Sequence, residues 1–153
     1  MKNILLIIAF LLTLALGAVY YFIPSRLIVV DSVQIECNSD GGFRTLSENK
    51  KWAKWWPGET ASSRDDKGTS IFIYKGDSFS ISKISHNNFS IAIHHEKLSL
   101  PSELYIIPLA NNTMGINWQS SISTNFNPFQ RYALYRKAVS LKENMHDILS
   151  AIR

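Results

Sequence analysis

The first apolar stretch of the chain shows no periodicity. Over residues 4–23, 20 positions, only Thr13 and Gly17 fall outside the apolar set. At about 1.5 Å of rise per residue, a helix of that length covers about 30 Å, the hydrocarbon thickness of a bilayer. Lys2 stands before the run, and Tyr20, Tyr21 and Phe22 form an aromatic belt at its far end, followed by Pro24 and Arg26, the flanks of a spanning segment. A cleaved secretory signal is the competing reading, with Ala15 and Gly17 as its small residues. Signal apolar regions run about 7–15 residues, whereas this one continues for six residues beyond Gly17. Residues 1–24 are therefore expected to form a single-pass membrane anchor or a signal segment, and residues 25–153 a separate domain.

Beyond Pro24 the pattern acquires a period of two. Residues 27–36 are rich in β-branched side chains, with Val33 and Ile35 opposite Ser32, Gln34 and Glu36, and read as a strand. Asn38, Ser39, Asp40, Gly41 and Gly42 stop it and lead into a short helix over 43–46. Ser47 offers a cap for a second short helix over 48–55, which Pro57 and Gly58 end. The polar stretch 59–68, including Arg64, Asp65, Asp66 and Lys67, reads as a loop. Strand candidates then recur at about ten-residue intervals, as in an antiparallel meander: 71–74; Phe79, Ile81 and Ile84; Phe89, Ile91 and Ile93; 104–109; and Met114, Ile116 and Trp118. Turns fall at Gly76-Asp77, at His86-Asn87-Asn88 and at Asn111-Asn112. The last element changes period: Leu134, Ala138, Leu141, Met145, Ile148 and Ile152 recur at steps of three and four, one stripe of a helix over 129–152. A sheet with one dry face and one long amphipathic helix need each other, so the expected class is an α+β layer.

Composition narrows the function classes. The chain has 153 residues, 46% of them apolar; without the first segment about 39% remain apolar, enough for one core. Lys2 aside, 15 basic residues face 12 acidic ones, a balance too mild to predict a nucleic-acid surface. A single cysteine, Cys37, excludes an intrachain disulfide framework and a multi-thiolate zinc site. His86, His94, His95 and His146 carry no ligand-like spacing, and adjacent His94 and His95 point to opposite faces of a strand, so no metal or cofactor is expected. Cys37 has no histidine near it in sequence, no G-x-S-x-G elbow or Gly-rich phosphate loop occurs, and no spacing singles out an acid–base pair among Glu96, Glu103, Asp77 and His94. Trp52, Trp55 and Trp56, interleaved with Lys50, Lys51 and Lys54, have three roles open to them: packing on the sheet, lining a cavity mouth, or forming a surface patch toward a membrane or partner.

This element order resembles the START-like superfamily, also called SRPBCC or polyketide cyclase/dehydrase, whose helix-grip fold wraps a sheet around a long C-terminal helix. The resemblance is carried by Ile23-Pro24-Ser25 ending the apolar segment and by Val33-Gln34-Ile35 ending the first strand. Further words are Trp52-Ala53-Lys54-Trp55-Trp56-Pro57, Trp118 in the last strand, and Asn127, Pro128 and Arg131 opening the final helix. It is nearest to membrane-anchored bacterial members, which implies an inner-membrane protein. Lys2 and Arg26 on either side of the segment nearly balance, and the charge rule favours a cytoplasmic amino terminus with an extracytoplasmic domain only slightly, leaving the other side open. The pair Gly41 and Gly42 departs from the acidic or alanine-rich first helix of relatives. Some relatives continue into an effector-binding-like domain, so a single-domain or shortened member is expected.

A curved sheet gripping a helix encloses a concave apolar space, the usual geometry of a ligand site. The expected lining is Phe79, Ile81, Phe89, Ile91, Ile93, Ile106, Ile116 and Trp118 from the sheet, with Tyr135, Leu141 and Met145 from the helix. Trp52, Trp55, Trp56 and Lys54 are the expected surface or rim patch. The leading function is then a membrane-tethered, non-catalytic domain binding an apolar or amphipathic small molecule or lipid. An interaction module at the membrane surface and a cyclase- or hydrolase-type enzyme are the alternatives.

Overall fold

The computed structural model describes residues 2–37, 39–46, 48–61, 69–95, 98–110, 112–124 and 126–152. It begins with α1 (Lys2–Phe22), followed by β1 (Arg26–Glu36), α2 (Ser39–Leu46) and a 3-10 helix (Asn49–Lys54). Six strands come next: β2 (Glu59–Ala61), β3 (Ser70–Tyr74), β4 (Asp77–Lys83), β5 (Asn88–His95), β6 (Leu98–Pro108) and β7 (Thr113–Ser123). The helix α3 (Pro128–Ser150) closes the fold.

The seven strands form one antiparallel sheet in the order β1-β7-β6-β5-β4-β3-β2. After β1 the chain crosses through α2 and the 3-10 helix to the opposite edge and then meanders back. The returning β7 lies beside β1 from Arg26↔Ser123 to Glu36↔Thr113. The β3–β4 hairpin closes on Lys75 and Gly76, both at positive φ, 47° and 83°, as a two-residue turn of this hand requires. Burial alternates along every long strand, so one face is dry and the other wet.

Several elements differ from the sequence expectation. α2 starts at Ser39 and takes in Gly41 and Gly42, expected to precede it, and the second short helix is a 3-10 helix over Asn49–Lys54. The β3–β4 turn falls on Lys75 and Gly76, with Asp77 already in β4. Glu59–Ala61 pairs with β3 as a short edge strand; its residues carry no apolar alternation, and backbone pairing alone makes it a strand. The rest of that stretch, with Arg64, Asp65, Asp66 and Lys67, lies outside the described residues, as do Asn38, Ser47, Glu96 and Asn111. β6 starts six residues earlier than expected, at Leu98, and runs through Pro101. Proline lacks the N–H a ladder needs, but at Pro101 the strand pairs only with β5, and pairing with β7 begins at Ser102.

Asn127 caps α3, its side chain accepting from the backbone N–H groups of Phe129 and Gln130, and Pro128 occupies the first turn, where its missing N–H costs nothing. The expected stripe faces the sheet: Ala138, Leu141, Met145 and Ile148 are buried, with Leu134 and Ile152 packed at its margins. α3 lies over β1 and β7, and the curved sheet brings the β3–β4 hairpin to its far flank. α1 buries none of its residues and is long and apolar enough to cross a membrane, with mean hydropathy 2.5.

Candidate functional site

The space between sheet and helix is largely filled by the protein's own rings. Phe79, Ile81, Phe89, Ile91, Ile93, Ile106, Ile116 and Trp118, expected to line a cavity, are all fully buried, as are Leu141 and Met145. Trp56 stacks on Phe72 with ring centroids 4.9 Å apart and meets Phe79 at 5.3 Å, Trp52 meets Phe89 at 5.2 Å, and Phe79 meets Trp118 at 6.0 Å. Such tilted and edge-on pairs add about 0.5–1.5 kcal/mol each beyond area burial. The indole N–H groups of this cluster are paired: Trp52 with the Leu46 carbonyl at 2.8 Å, Trp56 with that of Ile73 at 3.2 Å, Trp118 with the Ser102 hydroxyl at 3.0 Å.

Three placements correct the sequence reading. Trp52 and Trp56 are core residues, 1% and 6% exposed, rather than a surface patch; Lys54 between them is exposed. Tyr135 is 41% exposed and sits with Val139 beside β1. It lies next to Leu134, about 100° around the helix from the buried stripe.

The most apolar opening lies at one end of the domain. A pocket of about 390 Å³ is bounded by α2, the 3-10 helix, the end of β1, the start of β7 and the end of α3. Its walls are Ile35, Cys37, Leu46, Trp55, Met114 and Ile152, with Gly42, Thr45 and Lys54 completing them. The Trp55 indole N–H is buried with no acceptor among the described residues, an uncommon state for a buried donor. Gly42 gives the departure in the first helix a packing role: a Cβ there would lie 2.6 Å from the Cys37 Sγ and 2.9 Å from the Met114 Cε, so a larger residue would have to displace these two side chains for α2 to keep its place on this wall. At the opposite end a groove of about 540 Å³ runs between β6, β7 and the first turns of α3. Its lining is mixed, with Ser99, Ser121, Ser123 and Gln130 among Leu98, Leu100, Ile122 and Leu134.

One polar cluster enters the interior. Asp77, buried at the start of β4, accepts from the Lys137 ammonium at 3.3 Å and from the Asn144 amide at 3.2 Å, and pairs with the His95 ring. Beside it, the Asp147 carboxylate accepts from the Lys75 ammonium at 2.7 Å and the Tyr74 hydroxyl at 3.1 Å. These bonds hold the Asp147 carboxyl below the ordinary carboxylate range and raise the Lys75 ammonium above its usual value. Both Asp77 oxygens are occupied from β5 and α3, so the cluster works as a clamp fastening the hairpin to the helix. Of the other acid–base candidates, His94 and Glu103 are not brought to it. His94 is exposed, and Glu103 faces outward on the wet side of β6, where it takes the Tyr105 hydroxyl hydrogen bond and raises that phenol's pKa. Glu96 is outside the described residues. No group of three or more His, Cys, Asp and Glu able to hold a metal occurs among the described residues.

No protein-family model matches the chain, and no curated protein matches it. Solved structures do. It is similar to DynU16, a putative protein of the dynemicin biosynthetic locus, with TM-score 0.58 and 11% identity over 81% of this chain and 45% of that one. The chain thus spans under half of DynU16. It is similar to CalU16 from Micromonospora echinospora, with TM-score 0.56 and 10% identity over 83% of this chain and 82% of that one. A START superfamily protein from Mycobacterium smegmatis matches with TM-score 0.51 and 9% identity, over 82% of this chain and 99% of that one. At such identities the likeness speaks to architecture, and that architecture is the START-like helix-grip fold behind an apolar N-terminal helix.

Proposed function

We propose that the chain is a membrane-tethered, non-catalytic START-like domain that binds an apolar or amphipathic small molecule in the pocket between α2, the ends of β1 and β7, and the end of α3. The observation that carries this reading is the pocket itself: about 390 Å³ walled by Ile35, Leu46, Trp55, Met114 and Ile152, within the range of small-molecule sites. Lys54 in its lining suits an acidic head group. The aromatic fill behind it limits the ligand to one chain or ring system. An interaction surface built on Trp52 and Trp56 loses its support, because both are core residues.

A photoreactive diazirine fatty acid added to the full chain in phosphatidylcholine nanodiscs tests the proposal. Adducts are expected on the segments carrying Leu46, Met114 and Ile152, competed by unlabelled palmitate and reduced several-fold by Ile152→Trp. Adducts confined to α1, or adducts insensitive to Ile152→Trp, sink the reading.

A further inference from the structure

We infer that the domain is seated on the bilayer surface in a fixed orientation by an aromatic patch that joins the end of α1 to the β7–α3 loop. This rests on the reading of α1 as a membrane anchor and adds a second, non-spanning contact with the same bilayer. The link between α1 and β1 is only Ile23, Pro24 and Ser25, and each of their carbonyls is held by the domain. The Arg131 Nε donates to Ile23 at 2.7 Å, the Thr124 hydroxyl to Pro24 at 3.0 Å, and the Thr124 backbone N–H to Ser25 at 2.9 Å. Arg131 is 8% exposed, and its guanidinium lies 5.0 Å from the Tyr20 ring centroid. Ile23 is itself a core residue. A swinging tether would break all three bonds and strand the buried guanidinium, a costly state.

The lock fixes where the neighbouring loop lies. The Tyr20 hydroxyl donates to the Phe126 carbonyl, and the two rings are 5.9 Å apart. Phe126 therefore sits at the level of the last turn of α1, where the apolar run meets the bilayer interface. Phe126 is 91% exposed and Phe129, on the first turn of α3, 81% exposed, and on the last turn of α1 Tyr21 and Phe22 are 83% and 75% exposed. Uncovered rings are unfavourable in water and favoured at the headgroup boundary. The occupant of this surface is accordingly the lipid interface surrounding α1.

Site-directed spin labelling of the full chain in phosphatidylcholine vesicles tests the seat. On a Cys37→Ser background, single cysteines at Leu12, Phe129 and Lys54 are labelled and their accessibility to oxygen and to a water-soluble nickel chelate compared. The expected order of depth is Leu12 at the bilayer centre, Phe129 at the interface and Lys54 in water. A label at Phe129 as open to nickel as one at Lys54, with Leu12 still deep, leaves the anchor standing and overturns the seat. A Leu12 label open to nickel overturns the anchor and the seat together.

Discussion

The two ends of the domain are built on the same pair of elements and differ in what holds them. β1 and α3 both run between them, and β1 alone spans roughly 35 Å at about 3.3 Å per residue. At the α1 end, Ile23, Pro24 and Ser25 are each held by hydrogen bonds from Thr124 or Arg131. At the far end, α2 lies across Cys37 and Met114 through a glycine and leaves an apolar pocket beside Ile152. The contrast shows a division of labour within one core. Three polar bonds, that of Arg131 to Ile23 buried, define orientation, whereas an apolar wall closed by a short, glycine-bearing helix can open locally at small cost.

The sharpest way to break that contrast is at Arg131. Arg131→Ala removes the guanidinium bond to the Ile23 carbonyl, the stacking on Tyr20 and the buried stem. A loss of about 2–3 kcal/mol is expected, as for other charged hydrogen bonds left half-made. Hydrogen exchange of the full chain should show faster opening confined to residues 19–26 and 124–131, with the segment around Leu46 and Met114 unchanged. Equal acceleration at both ends would mean that the two regions open as one unit.

How much of this was legible in the chain differs between the two ends as well. The α3 stripe from Leu134 to Ile152 and the meander announce themselves by period, because apolar side chains on one face of a helix or sheet have no alternative partner. Alternation also says which residues point inward, but not whether the space they face is empty. Phe79, Phe89 and Trp118 satisfy the period equally well as pocket lining or as packed core, and the volumes of Trp52, from the 3-10 helix, and Trp56, just beyond it, decide for the core. Arg131, Asp77 and Asn144 were legible least. A buried polar residue has no periodic signature, and its partners Ile23, His95 and Lys137 are 108, 18 and 60 residues away for the bonded pairs Arg131–Ile23, Asp77–His95 and Asp77–Lys137. One signal was present for the closed end, since Arg131 and Ile23-Pro24-Ser25 both carry the family resemblance, and the structure shows Arg131 and Ile23 to be partners.

At the pocket end the corresponding test is Gly42→Ala. In an unhindered helix this change stabilises by about 0.5–1 kcal/mol, but here the new methyl would meet the Cys37 Sγ at 2.6 Å and the Met114 Cε at 2.9 Å. A destabilisation of about 1–2 kcal/mol is expected from overpacking, measured by chemical denaturation, with α2 lifted and fatty-acid adducts at Leu46 altered. Adding Cys37→Ala should recover part of the loss, because it removes the atom nearest the new methyl. If Gly42→Ala proves stabilising, α2 is not packed on that wall.

The smallest expected effect lies on the flank between the two ends, where Tyr74 and Lys75 hold Asp147. The Asp147 carboxyl is depressed chiefly by the Lys75 hydrogen bond, with Tyr74 second. A depressed acid contributes stability that is fully present above its unfolded value, about pH 4, and is lost as pH falls through its lower folded value. Lys75, raised chiefly by the same bond, contributes stability present below its unfolded value near pH 10 and lost only as pH rises through the folded one. The hairpin contact is therefore flat across neutral pH and loosens only in acid or strong alkali. Asp147→Asn should leave the fold intact at pH 7 with a small change in stability, since both partners are solvated. It should also abolish the part of the acid loosening that belongs to this carboxylate, read as amide chemical shifts of Tyr74, Lys75 and Gly76 between pH 2 and 6. Identical titration of those amides in wild type and variant would mean that the Asp147 carboxylate does not hold the hairpin to the helix in solution.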